Sequence, residues 1–469
     1  MKKHCILFCF LLFSFHGFSQ QHSEGTLQNY DPGHTECLSD SFRQVIKAEI
    51  NSTILSLRNQ NIIPPHYSST PVQFDWPLRL RPGLVDYGYH SISGGVDHNP
   101  AYPNQLLDYN CGALTYDTPS GYNHAGTDFF LWPFDWNKMD SGDVEIVAAA
   151  AGTITYKSDG NFDRSCGTNN NYWNSVTVQH ADGSEVWYGH MKKFSLTTKN
   201  VGQTVAMGEY LGKVGSSGNS TGPHLHLEVY DSLFNLIDPF QGACNSFNSN
   251  SWWISQRPYI DAGINHTATN FKPPQWQNCP LEHIKNERDY YTNTDTIYLI
   301  NYMRFLSTGD SSTITIYRPD NSVWGNWVWN TTWPNYTAAW VYWWMIPGAS
   351  EPSGQWKFET IYKNQTYFHY FWLGPAGIQN ASTSLNMTSV VYPNPTTGEF
   401  TIGLVDQTIN FSNEKVELKI TDVLGNIILE KILTNNKTEI KLPEISSGTY
   451  FYVISNAETK IAIGKFTVK

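Results

Sequence analysis

The sequence predicts an all-β, multidomain protein with one N-terminal helix, and three observations carry that prediction. Only one stretch, near the N-terminus of the 469-residue chain, repeats apolar residues at helical spacing. Beyond it, short apolar runs alternate with Gly, Asn and Asp turns, the rhythm of antiparallel strands. Apolar residues make up 40% of the chain, enough for packed cores, while charged residues reach only 15%, against roughly 25% in ordinary soluble domains. Asn, Ser, Thr and aromatics fill the difference, which reads as an extracellular, β-rich surface. The length suggests about three domains of roughly 150 residues.

The elements follow in chain order. Residues 1–20 read as a secretory signal peptide: Lys2 and Lys3, an apolar run over 6–18, then Gly17 and Ser19 just before Gln20. A lipoprotein reading of Cys9 is disfavoured by the bulky Phe8 before it. No later stretch reaches the roughly 18 apolar residues of a membrane span. In residues 21–70, Leu38, Phe42, Val45, Ile46, Ile50, Ile54 and Leu57 mark an amphipathic helix that ends before Pro64-Pro65. Two roles stand open for it: an inhibitory prosegment, or a helix packed on the next domain.

Residues 71–265 carry strands at 144–150, 152–156, 175–179, 186–190 and 224–230, an antiparallel β domain. Residues 267–375 form an aromatic-rich module with ten of the chain's 17 tryptophans, and alternation such as Trp327-Val328-Trp329 suggests a β-sandwich. Those tryptophans are either a flat face for sugar rings or the sandwich core. Residues 376–387 read as a linker, and 388–469 as a third β unit with a hairpin turn at Leu424-Gly425-Asn426.

Charge and cysteines narrow the partners. A net charge of −11 leaves no Lys/Arg excess to displace counterions from phosphates, so nucleic acid is excluded. Nothing in the composition calls for an oligomer, and a monomer is expected. Cys37, Cys111, Cys166, Cys244 and Cys279 remain after the signal segment. None forms a Cys-x-x-Cys pair, so a thiolate metal site is not expected. Disulfides are, with one thiol left over, and Cys111–Cys166 with Cys244–Cys279 is the expected pairing.

Four short pieces carry chemistry. His224-Leu225-His226 lies on a predicted strand, where residues i and i+2 share a face, so both imidazoles point to one place. His124 and Asp128 stand four apart in Gly121-Tyr122-Asn123-His124-Ala125-Gly126-Thr127-Asp128. His190 ends a strand in Tyr188-Gly189-His190, and the apolar run Ile146-Val147-Ala148-Ala149-Ala150-Ala151-Gly152 lies between. No His-Glu-x-x-His occurs, which excludes a helix-borne zinc site of the thermolysin kind.

In this order, the pieces resemble the lysostaphin-type peptidoglycan endopeptidases, above all in Ser220-Thr221-Gly222-Pro223-His224-Leu225-His226. The resemblance spans His124 to Glu228 and implies a lysostaphin-like catalytic domain holding one Zn2+. It implies His124, Asp128 and His226 as metal ligands, His224 as general base and His190 as a donor to the oxyanion. The implied activity is hydrolysis of peptide bonds in peptidoglycan stems or cross-bridges. Extracellular proteins as substrate, or binding without catalysis, are the alternatives. The aromatic stretch 129–136 departs from the family pattern, and is expected beside the metal either shaping the groove or as a packed flap. The asparagine with which some family prosegments occupy the fourth metal position is not found. Asp97, His98 and Cys111 are read as structural.

The C-terminal motifs Tyr392-Pro393-Asn394-Pro395, Asp422-Val423-Leu424-Gly425-Asn426 and Ser447-Gly448-Thr449-Tyr450 resemble the sorting domain of the type IX secretion system of Bacteroidota. That resemblance implies export across the outer membrane and contact with the type IX secretion machinery. A generic adhesive β-sandwich is the alternative.

Overall fold

A computed structural model describes residues 25–469 except 65, 69, 333, 375–388, 393, 405–410, 412–414, 424–425, 436, 444 and 457–459. The expected signal segment, the linker at 376–387, Trp333 and the Leu424-Gly425 turn lie outside the described residues. Among the described residues the chain is strands and two helices, with no helix long and apolar enough to cross a membrane. The chain up to Pro375 is one compact unit and Ala376–Lys469 a second.

The sheet that matters for function has the order His90–Gly94, Thr127–Leu131, His224–Tyr230, Glu185–Gly189, Ser175–Gln179, Gly152–Ser158, Thr204–Val205. All its pairings are antiparallel. A three-stranded sheet of Tyr210–Lys213, Val144–Val147 and Leu78–Leu80 packs against it over a shared core that includes Ile146, Ala149, Val178, Val186 and Leu225. The small residues Ala148, Ala149 and Ala150 are fully enclosed, as their crowded position requires.

The helix Asp40–Asn59 forms where the periodicity places it. Ser39 caps its N-terminus by accepting from the Phe42 N–H, and Ile46, Ile50, Ile54 and Leu57 are buried. Ile46, Ile50 and Ile54 lie against Trp173, just before Ser175–Gln179, and against Trp187 and Tyr230 of the large sheet. Upstream, the strand Thr26–Asn29 pairs with Tyr336–Met345 in the aromatic module. The N-terminal segment therefore belongs to both neighbours and is not a separate body.

The aromatic module is a sandwich of two sheets. One has the order Thr26–Asn29, Tyr336–Met345, Ile297–Leu306, Gly263–Asn270; the other Tyr290–Tyr291, Gln365–Leu373, Gly354–Tyr362, Ser311–Tyr317, Val323–Asn330. Trp329, Trp343 and Trp356 fill the core between them. The tryptophans thus serve mainly as core, with Trp372 left half-exposed beside Tyr290.

The stretch 129–136 lies beside the site, where Phe130 and Asp135 line a cavity with Asp128 and His224, and it is also packed. Phe130, Trp132 and Phe134 are buried against Ala268, Ile300, Tyr302 and Trp340, bonding the catalytic sheet to the sandwich. It runs on into a short helix, Asp135–Ser141, that the sequence did not predict.

The disulfides are Cys111–Cys244 and Cys166–Cys279, not the expected pairs. Both close across the fold, at sequence separations of 133 and 113 residues, because tertiary packing and not chain proximity brings these cysteines together. Cys37 is the thiol left over, and it is buried.

The C-terminal unit consists of a three-stranded sheet, Ser389–Tyr392, Glu399–Leu404, Lys437–Lys441, and a four-stranded sheet, Ile427–Leu433, Val416–Thr421, Gly448–Ser455, Lys460–Val468. Phe400, Ile402, Leu418, Ile420, Tyr452 and Phe466 are in its core.

Candidate metal centre

Strand register builds the site. His226 stands opposite Asp128 on one neighbouring strand and opposite Gly189 on the other. His224, His226 and Glu228 alternate onto one face. Space for the His226 ring depends on Gly126, where an added Cβ would lie 2.7 Å from the ring. His190 follows Gly189 in a left-handed conformation, φ 56°, that turns its ring across the strand end toward His224. The two ring centroids are 4.4 Å apart.

Each histidine is oriented by its other nitrogen. His124 Nδ1 donates to the Gly95 carbonyl at 2.7 Å, His190 Nδ1 to Ser217 at 2.6 Å, and His224 Nδ1 to Gly222 at 2.8 Å. A carbonyl only accepts, so Nδ1 carries a proton in each ring and Nε2 faces the site, bare whenever the ring is neutral. His226 is held the other way round: Nε2 donates to Glu228 at 2.9 Å, and Nδ1 faces Asp128 at 2.7 Å. A carboxylate behind the far nitrogen of an imidazole is the usual support for a metal-binding histidine.

The donor atoms converge. His124 Nε2 lies 3.2 Å from His226 Nδ1 and 3.2 Å from Asp128 Oδ2. Tetrahedral zinc with bonds near 2.0 Å sets its ligand atoms about 3.3 Å apart, so these separations fit it. Two imidazole nitrogens so close repel if both are protonated or both bare, and a shared cation removes that conflict. Burial pushes the Asp128 carboxyl up, but His124 and His224 outweigh it and hold it well below the ordinary range. Burial pushes His124 down, and the Asp128 carboxylate more than reverses that, raising it to about 9. Burial, and then the neighbouring His224, lowers His190, whereas at His224 burial is outweighed by the Asp128 carboxylate, which raises it.

Four partners escaped the sequence reading. Glu228 was only the end of a motif, yet it shares the face of His226, and that alternation was the available signal. Arg43, from the N-terminal helix, grips Glu228 through Nη2 at 2.8 Å and Nε at 3.3 Å. Tyr116 stacks on His124 and donates to Asp128 at 3.2 Å. Cys37 also enters, where no thiolate was expected: its sulfur lies within 4.8 Å of the donor atoms of His124, Asp128 and His226, and likewise of His190 and His224. The odd cysteine count was its only trace in the sequence. Asp97, His98 and Cys111 stay structural: His98 is hydrogen-bonded to Asp238 at 3.0 Å, Asp97 accepts from the Asn99 and Leu107 amides, and Cys111 is in a disulfide.

Two imidazoles and a carboxylate, from the loop before Thr127–Leu131 and from two adjoining strands, converge with two more imidazoles alongside, an arrangement that could hold a metal ion. Residues 123–239 match Peptidase family M23, and residues 390–469 match the Secretion system C-terminal sorting domain, a type IX tail that sends its carrier to the cell surface or beyond. It is similar to the DD-carboxypeptidase/endopeptidase Mpg of Neisseria meningitidis, 43% identical over 84 residues, which cover 18% of this chain and 16% of the relative. Glycyl-glycine endopeptidase ALE-1 of Staphylococcus capitis is 32% identical over 133 residues, 28% of each chain. Protease LasA of Pseudomonas aeruginosa is 30% identical over 124 residues, 25% of this chain and 26% of LasA. The chain thus spans less than a third of the length of these relatives. A zinc-containing peptidase from Vibrio cholerae overlaps 36% of this chain and 39% of its own, at 22% identity and a TM-score of 0.23.

Proposed function

We propose that this protein is a zinc-dependent endopeptidase that hydrolyses peptide bonds of peptidoglycan stems or cross-bridges. The observation that carries the reading is the convergence of His124, Asp128 and His226 donor atoms beside the bare Nε2 atoms of His190 and His224. In this reading His124 Nε2, Asp128 and His226 Nδ1 hold one zinc ion. Zinc bound there supplies Lewis acidity and a water acidified toward a pKa of about 7.

The chain's own groups then divide the proton work. His224, unprotonated at Nε2, accepts the proton of the attacking water. His190 reaches the oxyanion as a donor only when its Nε2 is protonated, because Nδ1 is committed to Ser217. The pair works with one proton, on His190, once a cation on Asp128 cancels that carboxylate's pull on His224, and a bell-shaped rate profile follows. Glu228 keeps the His226 ring in the tautomer whose Nδ1 is free for the metal.

The sorting tail favours a second reading of the substrate. A protein sent past the outer membrane meets foreign walls and extracellular proteins sooner than its own peptidoglycan.

The test is digestion of purified peptidoglycan by the zinc-loaded chain, intact and after limited proteolysis between residues 60 and 71, with mass analysis of the fragments. New peptide termini that vanish with a chelator and in His226→Ala support the reading. Intact peptidoglycan from a folded, nicked, zinc-loaded protein moves the substrate to extracellular proteins.

A further inference from the structure

We propose that Cys37 is a fourth metal ligand, and that the N-terminal segment holds the enzyme latent by filling the water's place with its sulfur. The inference rests on the zinc reading above. Cys37 is 3% exposed, and its sulfur belongs to two donor groups at once: with His124, Asp128 and His226, and with His190 and His224. It therefore stands between the metal ligands and the two histidines that handle protons, where an attacking water must sit.

A second observation points to the same place. His190 Nε2 and His224 Nε2 have no hydrogen-bond partner, although the residues are 0% and 7% exposed. Bare buried nitrogens are costly unless a ligand or cation meets them. The other four described cysteines are locked in disulfides, so Cys37 is the thiol available to a metal. Its present polar neighbours are the Tyr116 hydroxyl at 3.0 Å and the Thr35 carbonyl, to which the thiol donates at 3.7 Å.

The segment is tied down on both sides of Cys37. Before it, Tyr30 packs on Trp132 and donates to Asp135 at 2.7 Å, while His34 stacks on Tyr116. After it, the helix Asp40–Asn59 is anchored by the buried Arg43–Glu228 pair. The geometry presents the sulfur to the site from a fixed strap.

When the metal binds, a sulfur–metal bond forms, the thiol proton leaves to solvent, and no electrons are transferred. Four protein ligands close the coordination shell, as in structural zinc sites, and leave no position for water. Activation is then withdrawal of the strap, with water replacing sulfur.

The test uses the full chain loaded with cobalt(II) in place of zinc, with metal content measured first. A thiolate-to-cobalt charge-transfer band is expected in the near ultraviolet, lost in Cys37→Ala while one cobalt per chain is kept. Iodoacetamide, applied in urea just below the unfolding transition so that the buried sulfur is sampled, is expected to label Cys37 more slowly in the metal-loaded chain than in the metal-free one, a readout that needs no variant. Cys37→Ala is expected to cleave substrate that the intact wild type leaves whole. One bound cobalt without the band, or labelling as fast with metal as without, overturns the strap and leaves the zinc reading standing. A folded chain that binds no cobalt overturns both.

Discussion

Glu228 lies two residues beyond His226 on the same strand face and accepts hydrogen bonds from that ring, from Arg43 and from the Tyr230 hydroxyl. Burial pushes its carboxyl up, but Arg43 and His226 hold it well below the ordinary range, so it is a full carboxylate. Glu228→Gln keeps the shape and removes the charge. It leaves Arg43 with only the exposed Asp40 as counter-ion, at an expected cost of about 3 kcal/mol in urea unfolding. Zinc affinity should fall by about 10- to 100-fold, read by competition with a chromogenic chelator. Unchanged affinity would mean that Glu228 serves packing alone. Gly126→Ala tests the same ring from the other side. Its Cβ would lie 2.7 Å from His226, and the ring must rotate off its ligand position. We expect a loss of bound metal, by elemental analysis, with the disulfides intact. At this scale the motif residues were legible because strand alternation is local, whereas Cys37 and Arg43 reach the site only through a strap that no spacing rule describes.

The strands of the catalytic sheet were legible from short apolar runs, and their register follows from burying one face. The helix Asp135–Ser141 was not: seven residues are too few for a periodic signal, and its Asp135 and Lys138 are themselves buried. Charge burial within a strand has a measurable consequence at Glu185. Burial raises its carboxyl to about 7, against the smaller opposing effects of Trp187, Gln179 and Lys47. The folded state therefore holds this proton more tightly than the unfolded chain. The stabilisation is complete below the unfolded value near 4.5 and is lost as pH rises through about 7. Glu185→Gln should remove up to about 3 kcal/mol of that decline between pH 4.5 and 8. Thermal unfolding across that range, with wild type and variant declining in parallel, would refute the assignment.

Across the whole molecule, the all-β architecture was legible and the connections between its parts were not. Composition and alternation identify sheets, but they do not say that 25–29 completes a sheet formed 300 residues later, or that Phe130, Trp132 and Phe134 pack against the sandwich. The disulfide pairs were misjudged for the same reason. The C-terminal unit carries its own prediction: a chain lacking residues 388–469 should accumulate in the periplasm on cell fractionation, and its continued appearance outside the cell would remove the export role of this tail.

The outermost strand of the first sandwich sheet, Thr26–Asn29, bonds to Tyr336–Met345 through residues 339–342. A chain that lost its first sixty residues would keep the sandwich but expose that border, a row of backbone N–H and C=O groups facing water. Such a seam recruits a strand from another chain. Processing that opened the cleft would therefore also make the molecule adhesive at a distant place, so that its state of assembly would report its maturity.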